Sequence, residues 1–61
     1  MYAIINKNNN AIIARDFNSR PVALNYMKTL NNQSLFRIIN QSTMEFAMIE
    51  SINRKRLNNK R

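Results

Sequence analysis

The chain has 61 residues, of which 10 are Lys or Arg and 3 are acidic, and its formal net charge is +7. It contains no Cys and no His, which excludes disulfide bonds, thiol nucleophiles and the usual zinc ligands. A chain this short forms at most one domain with a small core, and at least two of its three carboxylates would have to converge to build an acidic site. We therefore predict a protein that is not an enzyme and that uses no metal and no cofactor.

The amino terminus and the apolar segments indicate a cytoplasmic protein. No apolar stretch approaches the roughly 18 to 20 residues that a membrane span requires. The first residues lack the charged region and the long apolar region of a signal peptide. The absence of cysteine agrees with this expectation, since small secreted domains usually rely on disulfides.

A β-hairpin is predicted at the start of the chain. Two short runs rich in Ile, residues 2–7 and 11–17, flank the triplet Asn8-Asn9-Asn10. Asn is the residue besides Gly that best tolerates positive φ in turns, and this chain has no Gly. If Asn6 pairs with Ala11, the cross-strand neighbours are Ile5 with Ile12, Ile4 with Ile13 and Tyr2 with Arg15.

A helix is predicted next, over about residues 20–30. Asn18 or Ser19 can cap it, and Pro21 falls in the first turn, where its missing N–H costs nothing. Asn31-Asn32 is a plausible stop. The apolar stripe expected to pack on the sheet consists of Val22, Ala23, Tyr26, Met27 and Leu30.

The segment Tyr2-Ala-Ile-Ile-Asn6 is echoed by Phe36-Arg-Ile-Ile-Asn40, and the echo predicts a second hairpin with strands over residues 35–40 and 44–49. The second of these strands has an alternative. Ser42-Thr-Met-Glu45 matches a helix capping box. In this alternative, residues 43–57 form one helix. On a helical wheel Met44, Met48 and Ile52 align, while Phe46 points to the opposite side.

The predicted fold class is α+β, in which two β-hairpins flank one helix (ββαββ) within residues 1–50. Residues 51–61 form a basic C-terminal extension, either a tail or a loosely held helix. One helix covers only one face of a four-stranded sheet, so the other face is expected to be uncovered and to bind a host protein or a second copy. The predicted interface residues are Ile5, Ile12, Ile39, Phe46 and Met48. The alternative is that the C-terminal segment folds back as a helix and covers them.

The positive charge is concentrated at the C-terminal end of the sequence. Residues 1–50 have a net charge of +2, and the last eleven residues add +5. Such a run often binds phosphate backbones by releasing counterions; the alternative is a solvated tail that only keeps the small domain soluble. The predicted nucleic-acid contacts are Arg54, Lys55, Arg56, Lys60 and Arg61, with Arg15, Arg20 and Arg37 as secondary candidates. No helix-turn-helix or RNA-recognition motif accompanies them.

Twelve Asn and eight Ile residues reflect AT-rich codons. With the helix entry Phe17-Asn-Ser-Arg-Pro-Val-Ala-Leu-Asn-Tyr-Met and the strand Leu35-Phe-Arg-Ile-Ile after it, residues 2–49 resemble the short accessory proteins of tailed phages with AT-rich genomes. The resemblance lies in layout and composition. It implies a non-enzymatic protein in the host cytoplasm that binds one host or phage macromolecule and alters its activity.

Two functions are consistent with these observations. The first is a regulator that associates with nucleic acid through its basic C-terminal tail. The second is a protein inhibitor that binds a host enzyme through the apolar sheet face or through the cationic tail.

Overall fold

A three-stranded antiparallel sheet lies at the centre of the protein. The computed structural model describes the backbone of residues 1–58 and the side chains of residues 1–55. The strands are β1 (Tyr2–Asn6), β2 (Ile12–Phe17) and β3 (Phe36–Asn40), in the order β2-β1-β3. The central strand β1 holds three consecutive fully buried residues, Ala3, Ile4 and Ile5, because both of its faces are covered.

The first hairpin forms as predicted, but its register changes along the strands. Asn6 N–H donates to Ala11 O at 2.9 Å, and Ile5 lies opposite Ile12. Two irregularities then move Ile4 opposite Ala14 and Tyr2 opposite Phe17. The predicted partners Ile13 and Arg15 are therefore wrong. Asp16 has a φ of 69°, and this left-handed residue lets the end of β2 absorb an extra residue.

Helix α1 (Arg20–Met27) begins at the predicted residue and ends about three residues earlier than expected. Ser19 is the cap, and its Oγ accepts from Val22 N–H at 3.4 Å. Only Ala23 of the predicted stripe is fully buried; Met27 and Leu30 are half-buried, while Val22 and Tyr26 are exposed. The sheet has only three strands, so it is too narrow to bury the whole stripe, and Ala23 is the residue that faces its centre.

The two echoed segments become neighbouring strands. β1 and β3 pair antiparallel around Ile4 and Ile38, so Tyr2 lies opposite Asn40 and Asn6 lies opposite Phe36. Each strand ends at its Asn, as predicted. The side chains of Asn6 and Asn40 accept from Asn8 N–H and Ser42 N–H, each at 2.8 Å, so both strands end in the same local turn.

The predicted fourth strand is wrong, since residues 44–49 belong to helix α2 (Met44–Asn58). Thr43 caps this helix: its Oγ1 accepts from Phe46 N–H at 3.2 Å. A helix places Phe46 and Ile49, three positions apart, on one side. As a strand, the same residues would point to opposite faces of the sheet. The expected boundary between the α+β domain (residues 1–50) and the basic extension (residues 51–61) falls inside this continuous helix.

Helix α2 covers the sheet face that was expected to be free. Of the predicted interface residues, Ile5, Ile39 and Phe46 are buried in one cluster with Ala3 and Ile49, and Ile12 packs against it. Only Met48 stays exposed. Ile4 alternates with Ala3 and Ile5 along β1, so it points to the opposite face, where α1 lies. The fold is thus a sheet between two helices, with a core layer on each side.

Within residues 1–58, neither helix is both long enough and apolar enough to cross a membrane.

Candidate nucleic-acid interface

All three acidic residues pair with arginine side chains. Glu50 accepts from Arg15 Nη1 at 2.9 Å and lies 3.9 Å from Arg54 Nη2. Asp16 Oδ1 lies 3.5 Å from Arg15 Nε, and Glu45 accepts from Arg37 Nη2. These pairs are largely solvent-exposed, so each adds little stability. As a result, the negative charge of the protein is matched locally by Arg15 and Arg37.

Arg15 is part of the contact between β2 and α2. Its guanidinium lies over the ring of Phe46, with 5.2 Å from Cζ to the ring centroid. The hydrogen bond to Glu50 raises the pKa of the Arg15 side chain, with smaller electrostatic contributions from Asp16 and Glu50 and an opposing effect of burial. Arg15 was a secondary candidate for phosphate contact, as was Arg37. In the folded chain both cations already have carboxylate partners.

The topology brings other cations to one end of the molecule. β1 ends at Asn6, whereas β2 and β3 begin at Ile12 and Phe36, so these residues lie at the same edge of the sheet. Lys7 comes directly after Asn6, and its N–H donates to Leu35 O at 2.8 Å.

The loop after α1 reaches the same edge. Gln33 Nε2 donates to Lys28 O at 3.2 Å, and Gln33 begins the 3₁₀ turn Gln33–Leu35 that leads into β3. Lys28, the residue at the end of α1, therefore lies at this edge on the α1 side of the sheet.

Asn53 fixes the position at which α2 passes this edge. Its Oδ1 accepts from Ile12 N–H at 3.1 Å, and its Nδ2 donates to Asn10 O at 2.9 Å. Nδ2 also lies 2.8 Å from Ile49 O in the preceding helical turn. Because Asn53 is bonded to the start of β2, the next residues of α2 extend beyond the sheet.

We call the cations at this edge the basic end: Lys7, Lys28, Arg54 and Lys55. Lys7 belongs to the sheet layer, Lys28 to the α1 layer, and the other two to the α2 layer. Among the residues whose side chains are described, the three lysines have no carboxylate within ion-pair distance, and Arg54 has only the 3.9 Å approach to Glu50. The basic end therefore presents largely uncompensated positive charge on all three layers.

The remaining predicted contact residues lie elsewhere. Arg20 is exposed at the first residue of α1, next to the end of β2 and thus at the edge opposite the basic end. The side chain of Arg56, and residues Lys60 and Arg61, lie outside the described residues.

Lys7 and Lys28 were missed by sequence reasoning. Each is an isolated lysine, and neither belongs to a charge run. Only the hairpin and the direction of α1 bring them to the same edge of the sheet as the end of α2. Lys7 ends the first predicted strand, which is the one signal the sequence offered, whereas Lys28 lies inside the predicted helix and only the earlier end of α1 at Met27 places it at the end of an element.

Comparisons with protein-family models, with curated proteins and with solved structures found no match to this chain.

Proposed function

We propose that the protein is a non-enzymatic regulator that binds the phosphate backbone of nucleic acid through its basic end. The observation that supports this most directly is the separation of charge. Every acidic residue is paired with arginine, whereas the three lysines of the basic end have no acidic partner in the described part of the chain. Uncompensated cations on one surface are the electrostatic feature that recognises phosphates.

Binding of this kind is independent of sequence. The cations of the basic end can contact phosphates. The described residues form no helix-turn-helix that would place a helix against base edges, so the contacts are expected to be with phosphates. Displacement of counterions then supplies the free energy. The role as a phage-type accessory protein is part of the same proposal and rests on the resemblance in layout.

A salt titration with fluorescently labelled duplex DNA tests the proposal. The four cations of the basic end give a slope of about −3.6 for log K against log salt, and further contacts from Arg56, Lys60 and Arg61 give about −6. Removing residues 54–61 is expected to abolish most of the affinity without unfolding the protein, because the helix is attached to the sheet through Asn53 and the residues before it.

Single substitutions identify the surface involved. Lys7→Gln and Lys28→Gln are each expected to reduce the magnitude of the slope by about 0.9, since each removes one phosphate contact. Arg20→Gln is the matched control, because it removes one exposed cation from the opposite edge, and it is expected to leave the slope unchanged. Equal effects of all three substitutions would mean that net charge matters and the basic end does not.

Inhibition of an acidic host enzyme is the competing function. The fold reduces the number of surfaces through which such an inhibitor could bind. The apolar sheet face is covered by α2, so an inhibitor of this kind would bind through the basic end. A pull-down from host lysate with and without nuclease treatment separates the two functions. If the full-length protein shows no salt-sensitive binding to DNA or RNA at about 50 mM salt, the nucleic-acid proposal is wrong.

A further inference from the structure

We propose that the free edge of β3 is a homodimer interface, in which β3 pairs antiparallel with β3 of a second copy about a two-fold axis at Ile38. The two three-stranded sheets then form one continuous sheet. This inference concerns backbone groups at the edge of the sheet, and it does not depend on nucleic-acid binding.

The pairing of β3 with β1 determines which backbone groups of β3 face outward. Gln41, directly after β3, donates its N–H to Met1 O, and Leu35, directly before β3, accepts from Lys7 N–H, each at 2.8 Å. In an antiparallel pair, every second residue exchanges hydrogen bonds with the neighbouring strand. The odd-numbered residues from Leu35 to Gln41 therefore bond to β1. The residues whose N–H and C=O groups point to the free edge are Phe36, Ile38 and Asn40.

Four backbone groups at this edge have no hydrogen-bond partner among the described residues. Phe36 N–H is occupied, since it donates to Gln33 O. Asn40 O is occupied as well, since it accepts from Thr43 N–H and from Thr43 Oγ1. The groups that remain are Ile38 N–H, Ile38 O, Phe36 O and Asn40 N–H. An edge with unpaired backbone groups is a template for pairing with another strand.

The other edge of the sheet is less suited to an added strand. β2 has two register irregularities, which bend a strand and disrupt its ladder. Ile12 N–H and Asp16 N–H both donate to side chains, those of Asn53 and Gln41. β3, by contrast, keeps a continuous register against β1 along its whole length. An added strand would therefore pair with β3.

The free groups of β3 match those of a second copy. With a two-fold axis at Ile38, Ile38 N–H of each protomer donates to Ile38 O of its partner, and Asn40 N–H donates to Phe36 O. All four free groups of each copy are then paired. The occupied groups, Phe36 N–H and Asn40 O, lie opposite each other, where neither requires a further bond. An unrelated extended peptide would place its own unpaired N–H or C=O at these positions, so the pattern favours a second copy of this chain.

The register centred on Ile38 is favoured over its neighbours. An axis at Arg37 or at Ile39 would pair only one free donor of each protomer with a free acceptor of its partner, and an axis at Arg37 would place like charges opposite each other. With the axis at Ile38, Arg37 lies opposite Ile39 and keeps its own carboxylate partner, Glu45. The two Ile38 side chains become cross-strand neighbours on the sheet face that α1 covers, because Ile38 lies opposite Ile4.

NMR measurements test the pairing directly. In a mixture of isotope-labelled and unlabelled protein, an intermolecular contact is expected between Arg37 Hα and Ile39 Hα, since the Cα atoms of such a pair are only about 4.5 Å apart. The N–H groups of Ile38 and Asn40 are expected to exchange more slowly with solvent as the protein concentration rises. Phe36 N–H is the control, because it is bonded within the chain at every concentration.

Sedimentation of edge variants provides the second measurement. Asn40→Pro removes an outward N–H but no bond to β1, and it is expected to weaken self-association about tenfold or more, since two of the four hydrogen bonds are lost. Asn40→Ala is the matched control, because it loses the same side chain and keeps the N–H. Ile38→Lys places two like charges at the axis and is expected to abolish dimerisation. Ile13→Lys makes the same change on β2 and is expected to leave dimerisation unchanged.

The dimer is expected to be weak, because a five-residue strand is far smaller than the roughly 20 to 30 residues that each partner contributes to a stable interface. A protein that sediments as a monomer even at about 1 mM would overturn the proposal. Equal self-association of Ile38→Lys and Ile13→Lys would do the same, and so would a dimer without the contact between Arg37 and Ile39. If Ile38→Lys does not fold, the comparison of Asn40→Pro with Asn40→Ala decides, and equal self-association of these two would also overturn the proposal.

Discussion

Asn53 and Asn10 join the last turns of α2 to the first hairpin: Asn53 Nδ2 donates to Asn10 O at 2.9 Å, while Asn53 Oδ1 accepts from Ile12 N–H at 3.1 Å. One side chain therefore satisfies two backbone groups of the segment that enters β2. Asn10 itself has a φ of 60° and is part of the turn. The position of the basic end depends on this contact, because the cations of α2 come directly after Asn53.

Asn53→Ala is expected to lower the free energy of unfolding by about 1 to 3 kcal/mol, since it leaves partly buried backbone groups without partners. In a domain of this size the loss corresponds to a decrease in Tm of about 4 to 24 °C, at about 4 to 8 °C per kcal/mol. Asn25→Ala is the control, because Asn25 is an exposed residue of α1 whose side chain makes no hydrogen bond within residues 1–55. Thermal and urea unfolding of both variants measure the difference. Equal stability of the two would mean that Asn53 does not anchor α2.

Phe46 and Met48 are two residues apart on α2 and are expected to respond oppositely to substitution. Phe46 is 2% exposed in the core, so Phe46→Ala is expected to cost about 3 to 5 kcal/mol. The whole domain has only about 3 to 9 kcal/mol of stability at ordinary values per residue, so much of the population should unfold. Met48→Ala is expected to change stability by less than about 0.5 kcal/mol, because the side chain lies on the surface. Circular dichroism in urea separates the two. A folded, stable Phe46→Ala protein would contradict the placement of α2 on the sheet.

Asp16 is expected to make stability depend on pH in the acidic range. The hydrogen bond from Gln41 Nε2 at 3.0 Å lowers the pKa of the Asp16 carboxyl; desolvation opposes this effect, and the charge of Arg15 lowers the pKa further. Because the pKa is lower in the folded than in the unfolded chain, the contribution is present above the unfolded value of about 3.9 and is lost as pH falls through the folded value.

NMR titration of the Asp16 carboxyl measures this directly. Gln41→Leu is expected to return the pKa toward its ordinary value and to flatten the acid part of the stability curve. Gln41 also accepts from Asp16 N–H at 2.6 Å, so the variant loses stability at neutral pH as well. An unchanged titration in Gln41→Leu would show that Gln41 does not stabilise the carboxylate.

Asn32 provides a test of the positive φ angles in this glycine-free chain. Its φ is 59°, and its side chain does not cap the 3₁₀ turn that comes after it. Asn32→Gly is expected to retain stability, because Gly adopts this conformation without strain. Asn32→Ala is expected to cost about 1 kcal/mol, since a Cβ without a local hydrogen-bonding group disfavours the left-handed region. Unfolding of the pair in urea compares them, and a less stable Gly variant would point to a role for the Asn32 side chain.

Several local elements were predictable because their signals are contained in a few neighbouring residues. Backbone preferences and side-chain hydrogen bonds over two or three positions produce these elements. They are the Asn-rich turn, the Ser19 cap with Pro21 in the first turn, and the strand ends at Asn6 and Asn40. The α+β class and the ends of the first hairpin were predictable for the same reason.

The conformation of the chain after Asn40 and the location of the isolated cations depend on long-range packing. Residues 44–49 have both helical and alternating patterns, and the helix forms because it buries Phe46 and Ile49 together on the sheet face left open by α1. The alignment of Met44, Met48 and Ile52 was visible in the sequence, but only the packing of Phe46 inward showed that this stripe faces outward. Lys7 and Lys28 join Arg54 and Lys55 because strand direction and the Asn53 contact bring distant segments to one edge, and such proximity is a property of the folded chain that no local pattern encodes.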